Sequence, residues 1–328
     1  MKEIIVKKEV ANQRIDKFVR KYLNDAPLSF IYKLFRKKDV KINRHWVKED
    51  YIIQEGELLQ IYVTDEQLEE FNKPKKIENI KADIEIIYED KNILIVNKPK
   101  GLLIHGDESE KRITLTNKVL SYLHQKGEYT GKTEDYVPGP VHRLDRNTSG
   151  LVIYAKNLFS SQILMNELKT HENIDKYYLA LVDGNIDKAG TINAPLQKNS
   201  DSGLVKVGSI KTGAKEAITK YNPVYSSNLY SLVKVQLITG RTHQIRVHFS
   251  YINHPLLGDG KYGNFERNKI FNRTFNYNTQ FLHAYELHFG QMPGELKYLS
   301  NRTFKAPLPK NEQKILNTLY ADFNEKDI

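Results

Sequence analysis

The run Val141-His142-Arg143-Leu144-Asp145-Arg146-Asn147-Thr148-Ser149-Gly150-Leu151 sets one carboxylate between two arginines, just ahead of a turn and an apolar stretch. Thr148 and Ser149 can hydrogen-bond to nearby backbone, and Gly150 can take conformations that other residues resist. The segment therefore reads as a tight loop feeding a strand over 151–155. Guanidinium groups near a carboxylate favour its charged form, which leaves Asp145 available as a nucleophile or a base. A rigid loop at a strand end is a normal place for such a side chain. On its own, Arg-x-Asp-Arg describes a surface ion-pair cluster equally well.

Two distant segments change that balance. In Gly240-Arg241-Thr242-His243-Gln244-Ile245-Arg246-Val247-His248, an apolar strand over 232–238 ends in a Thr239-Gly240 turn. Thr242 is then expected to cap a short helix over 243–251, with Arg246 and Ser250 on one face. In Lys176-Tyr177-Tyr178-Leu179-Ala180-Leu181-Val182, the period of a strand puts Lys176, Tyr178, Ala180 and Val182 on one face. The chain holds 20 tyrosines, so only a pattern singles one out.

His-Arg-Leu-Asp-Arg-x-Thr-Ser-Gly at 142–150 resembles the signature of the RluA-type pseudouridine synthases, which isomerise uridine to pseudouridine in RNA. The segment at 240–248 looks like the later motif of that family, the basic-x-Tyr-x-Ala-x-Val pattern falls on Lys176–Val182, and 98–102 and 254–259 are similar to further family segments. The resemblance implies that Asp145 is the essential carboxylate, that Arg246 is the basic residue brought to it, and that Tyr178 rather than Tyr177 is the active-site tyrosine. Three routes stay open for Asp145: attack on the anomeric carbon, attack on the uracil ring, or removal of a sugar proton, which the resemblance favours. Because the reaction has neither a redox step nor net hydrolysis, one carboxylate suffices where glycoside hydrolases need two. The target uridine must first leave its stack. Arg143, two residues from Asp145, is placed to fill the gap or hold flanking phosphates, with a structural salt bridge as its alternative role. His142 is expected to brace the loop, and Asp259 to be structural rather than a second catalytic acid.

With no cysteine, the chain offers no cysteine-built zinc site, no disulfide and no catalytic thiol. No metal-site spacing of His or Asp stands out, so neither a metal nor an organic cofactor is expected. The net charge of +10 suits a polyanion such as RNA. Without an apolar run long enough to span a bilayer or serve as a signal peptide, no membrane association and a cytoplasmic location are expected. A monomer is expected as well.

The first 63 residues read as two amphipathic helices followed by short strands, with Lys33, Arg36, Lys37 and Lys38 making the end of the second helix basic. This layout resembles the S-four-like RNA-binding module, which implies contact between those cations and phosphates. Residues 64–82 read as an exposed linker, 83–310 as the catalytic domain and 311–328 as a peripheral helical tail. The polar span 198–213 reads as a hairpin tip that touches RNA. Strands outnumber long helices without regular alternation, so the expected class is α+β: a large mixed, mainly antiparallel sheet in the catalytic domain, with a small N-terminal α/β RNA-binding domain. The resemblance, with its N-terminal module, implies 23S ribosomal RNA as substrate, transfer RNA being possible. The alternative is a noncatalytic RNA-binding ribosome-assembly factor.

Overall fold

The computed structural model describes residues 1–74, 77, 80–199 and 203–328. In the N-terminal part, β1 (Lys2–Ile5) is followed by α1 (Ile15–Tyr22) and α2 (Leu28–Arg36), then by β2 (Val40–Ile42), β3 (His45–Trp46) and β4 (Leu58–Ile61). These strands form a sheet in the order β1-β4-β2-β3. Ile15, Phe18, Val19 and Tyr22 recur at the spacing of one helix face, and all four are buried against α2 and the sheet in a hydrophobic core of their own. The segment after β4, expected to be an exposed linker, begins with a helix. Thr64 and Gln67 form a reciprocal capping box that starts α3 (Asp65–Phe71), and Leu68 and Phe71 pack back on the N-terminal core. Residues 75, 76, 78 and 79 of the expected linker lie outside the described residues.

The rest is built on one large sheet. Its chain order is β5 (Glu85–Glu89), β6 (Ile93–Lys98), α4 (Leu115–Gln125), β7 (Ser149–Ala155), α5 (Leu158–Thr170), β8 (Ile174–Asp183) and β9 (Gly190–Asn193). The hairpin β10 (Leu196–Lys198) and β11 (Val205–Val207), β12 (Ile218–Ser226), β13 (Tyr230–Leu237) and α6 (Gln244–Tyr251) come next. Then follow α7 (Phe265–Phe275), β14 (Leu282–Phe289), β15 (Thr303–Lys305) and α8 (Lys310–Leu319). The strand order is β9-β12-β13-β8-β14-β7-β6-β5, with β15 on the side of β14. Pairings are antiparallel except β7 with β14, which run parallel through Ser149↔His283 and Gly150↔Ala284. This is the mainly antiparallel α+β class that the sequence indicates.

Every residue of β7 is buried, as a strand covered on both faces requires. Its start depends on Gly150, whose φ is +110° and where an added Cβ would sit 2.2 Å from the Ala284 carbonyl oxygen. On β8, Tyr178, Ala180 and Val182 pack with Ile245 and Phe249 of α6, while Leu179 and Leu181 pack on the opposite face. The period of two therefore aims Tyr178 at the α6 side, where Asp145 lies.

Two expectations about elements are corrected. The C-terminal helix is not peripheral: Ile315, Leu316 and Tyr320 are buried against Leu179, Leu181 and Phe281, and Glu312 is buried in contact with Lys100 and Tyr277. Apolar side chains spaced along one face carry the helix into the core. Thr242 does not cap α6, whose N-cap is His243 in the left-handed conformation (φ 54°) with no side-chain cap. The Gln244 carboxamide closes the turn instead, accepting from the Arg241 N–H and the Thr239 hydroxyl.

Candidate active site

The loop ahead of β7 is fixed from three sides. Lys98, buried at the end of β6, donates to the carbonyls of Pro99, Leu102 and Arg146 at 2.9–3.0 Å, matching the three N–H bonds of an ammonium. Burial draws its pKa down to about 7 against the pull of the Asp145 carboxylate. The Ser149 hydroxyl is 2.9 Å from His283 Nδ1, and the Thr148 N–H donates to the Asp145 carbonyl. His142 Nε2 accepts the Ile153 N–H at 3.2 Å, which needs an unprotonated nitrogen. Burial, helped by Lys176, lowers its pKa to about 3, so His142 braces the strand as a neutral ring.

Asp145 projects from this loop into a cleft of about 830 Å³ with its side chain 27% exposed. Its charged partner comes from α6 and not from the neighbouring arginines. Arg246 Nη1 donates to Asp145 Oδ2 at 2.9 Å, whereas Arg146 turns away to the Gly101 carbonyl and Arg143 lies exposed on the cleft wall.

Arg246 is itself 7% exposed and held from behind by Asp259, which accepts from Nε at 2.7 Å and from Nη2 at 2.9 Å. Burial works against the guanidinium's charge, but Asp259 and then Asp145 outweigh it and raise its pKa. Burial likewise opposes the Asp259 carboxylate, and Arg246 together with the N–H groups of Lys261 and Tyr262 brings it below its ordinary value. A bidentate, buried pair of this kind fixes the orientation of the guanidinium, so that an Nη1 N–H points at Asp145.

Tyr178 lies in the same cleft, buried, with its pKa raised first by burial and then by the Asp145 charge. It keeps its proton and offers both an aromatic surface and a hydroxyl. Tyr177 is not part of the cleft lining.

Sequence reasoning left two neighbours, His243 and Tyr262, unassigned. His243 Nε2 is 3.8 Å from Asp145 Oδ2, and its Nδ1 is 2.8 Å from the Tyr262 hydroxyl. The Tyr262 hydroxyl also accepts the Val205 N–H from the hairpin. Asp259, expected to be structural, is the residue that holds Arg246, a contact 13 positions back that no local pattern encodes. The cations Lys33, Arg36, Lys37 and Lys38 sit exposed at the end of α2 and just after it, and Lys38 lies 4.7 Å from the Trp46 ring centroid. They do not belong to the cleft. Among the described residues no cluster of metal-binding side chains occurs, and no helix is long and apolar enough to cross a membrane.

A carboxylate presented by an arginine, beside a protonated tyrosine and walled by cations, can carry out acid–base or nucleophilic chemistry on an anionic polymer. Comparisons with known proteins agree in kind. The family described as RNA pseudouridylate synthase matches residues 92–251. An uncharacterized RNA pseudouridine synthase of Mycoplasma capricolum is 37% identical over 92% of this chain and 96% of its own. Ribosomal large subunit pseudouridine synthase C of Vibrio parahaemolyticus is 33% identical over 95% of this chain and 94% of its own. The solved human RNA pseudouridylate synthase domain containing 4 shares the fold, with a TM-score of 0.58 at 24% identity over 72% of this chain and 92% of its own.

Proposed function

This chain belongs to the RNA pseudouridylate synthase family and isomerises uridine in RNA, and we propose that Asp145 carries that reaction on uridines of large-subunit ribosomal RNA. The observation that supports the assignment is the Asp259–Arg246–Asp145 chain, which presents a single carboxylate oxygen pair to a cleft that also holds Tyr178. Support for the substrate comes from relatives named as ribosomal large subunit synthases C and D, which align over nearly the whole chain. The N-terminal module with Lys33, Arg36, Lys37 and Lys38 is the second RNA contact, and the cytoplasm is the place of action.

In this reading the uridine flips out of its stack and Arg143 fills the space it leaves. Asp145 removes the proton on the sugar carbon next to the glycosidic carbon, and the bond to uracil nitrogen breaks with its electron pair going to the base. Nearby cationic groups stabilise that charge. The base turns against the Tyr178 ring, its carbon 5 bonds to the sugar, and the sugar proton returns from Asp145. The hydrogen on carbon 5 is finally lost by relay, the Tyr178 hydroxyl taking it as it passes its own proton to water, and uracil nitrogen 1 takes up a proton from solvent, so the isomerisation is proton-neutral. Arg246 acts on the substrate only through Asp145, which it orients by its bond to Oδ2.

The test is release of tritium from carbon 5 of labelled uridine in a ribosomal RNA transcript. Asp145→Asn should lower the rate by about 10²–10⁴-fold or more, the range expected when an acid–base group is lost. Its RNA affinity should stay within a few fold, because one charge is small beside many phosphate contacts. An Asp145→Asn protein with the wild-type rate would overturn the assignment.

A further inference from the structure

We propose that the half of the cleft formed by Lys176, His171, Lys169 and Arg241 is a phosphodiester-binding site that grips the RNA backbone beside the nucleotide held at Asp145. Lys176 carries the argument. It stands on the Tyr178 face of β8, 7% exposed, and lines the cleft. Among the described residues its ammonium has no hydrogen-bond or ion-pair partner. The neighbouring Asp175 is engaged instead with the Gln236 amide at 2.9 Å. A methyl added to Gly240 would lie 3.8 Å from the ammonium, which places it against the 239–241 turn at the cleft wall. Burial lowers its pKa despite the pull of Asp175. Its stem is buried while the unpartnered ammonium keeps its contact with the cleft, and a cation held there without a protein counter-ion is free to meet a ligand that supplies the opposite charge.

The surroundings increase the mismatch instead of relieving it. His171 ends α5 in the left-handed conformation, and its pKa is lowered by burial and then by Lys176 and Arg241. Lys169 and Arg241 are exposed on the same wall. The acid there is Glu216, also exposed, whose backbone carbonyl accepts from Arg241 Nε. A flipped base offers no formal charge to balance this cluster, whereas every nucleotide step offers a phosphodiester. Alternate residues of a strand are ~7 Å apart, so Lys176 lies one short step from Tyr178, within reach of the backbone next to a base stacked there.

This inference rests on the RNA-isomerase reading, and its test separates the two. Lys176→Met, Lys176→Arg and Arg241→Gln are compared with wild type on a large-subunit ribosomal RNA transcript, with affinity measured across salt concentration and with kcat, KM and Tm. Lys176→Met should weaken binding about tenfold and reduce the slope of log affinity against log salt by about 0.7–0.9, the value of one phosphate contact. The loss should fall on KM more than on kcat, and Tm should not drop, since no hydrogen bond or ion pair within the protein is removed and the apolar stem is replaced by one of similar length. Lys176→Arg should restore the slope. Should Lys176→Met fail to fold, the exposed Arg241→Gln must lower the slope by itself. An unchanged slope in Lys176→Met, or in Arg241→Gln where Lys176→Met does not fold, overturns the site. So does a fall in Tm and kcat at constant slope. A wild-type protein that binds the transcript yet forms no pseudouridine overturns the parent reading, while the slopes still decide the site.

Discussion

At the scale of single residues, the cleft is organised by how charge is matched or left open. Asp259 has no exposed surface to speak of and spends both oxygens on Arg246. Removing one partner of a buried ion pair strands the other and costs about 3–5 kcal/mol. Asp259→Asn should therefore lower the urea midpoint substantially and reduce kcat, while Asp145→Asn should leave stability nearly intact. Equal stability of the two variants would show that Asp259 does not hold Arg246. His142 gives a pH signature. Its folded pKa of about 3 lies below the ordinary 6.5, so between those values the unfolded chain binds a proton that the folded chain does not. Stability from this residue is complete above about pH 6.5 and declines as the pH falls toward about 3. His142→Phe should lose stability near pH 7, along with the Ile153 hydrogen bond, and show a smaller drop between about pH 7 and pH 4.5. Urea titrations at those two pH values measure the drop; an undiminished one would mean that His142 is not the neutral brace. Asp145, Tyr178 and Arg246 were legible because each sits in a patterned segment. Lys176 as an unmatched charge was not, since burial and missing partners are properties of the packed cleft.

Among the elements, the strands were the most readable. Alternation on β8 correctly separated Tyr178 from Tyr177, because a one-residue slip would turn the apolar set out of the core. Helices were less so. α4 has a capping Thr114 and buried Leu115, Val119, Leu120 and Leu123, a signal present in the sequence but not read. α7 buries little beyond Phe271, so its pattern is too weak to mark a helix. The expected RNA-touching span 198–213 resolves into the β10–β11 hairpin, with residues 200–202 outside the described set. It packs against Val247 and links to His243 through Tyr262, a long-range arrangement that no local pattern encodes. The basic end of α2 makes a prediction of its own. Replacing Lys37 and Lys38 by Gln should weaken RNA binding and flatten its salt dependence by about 0.7–0.9 per lost phosphate contact, with the loss borne by KM. Salt titration of binding measures this, and an unchanged slope would remove α2 from the RNA surface.

For the molecule as a whole, a net charge of +10 and two separate cationic regions, one in the cleft and one on the N-terminal part, support the proposal that RNA is held at more than one place. The fold class followed from counting strands against helices, whereas the seating of α8 in the core depends on contacts between distant parts of the chain and was missed. Which uridine is chosen depends on RNA shape read by dispersed contacts, which is why the decisive measurement is made on cellular RNA. Pseudouridine would be mapped across ribosomal and transfer RNA from cells lacking this gene and rescued with wild type or with Asp145→Asn. The account predicts that one or more sites in large-subunit ribosomal RNA disappear and return only with wild type. Restoration of those sites by Asp145→Asn, or a map that does not change when the gene is lost, would contradict it.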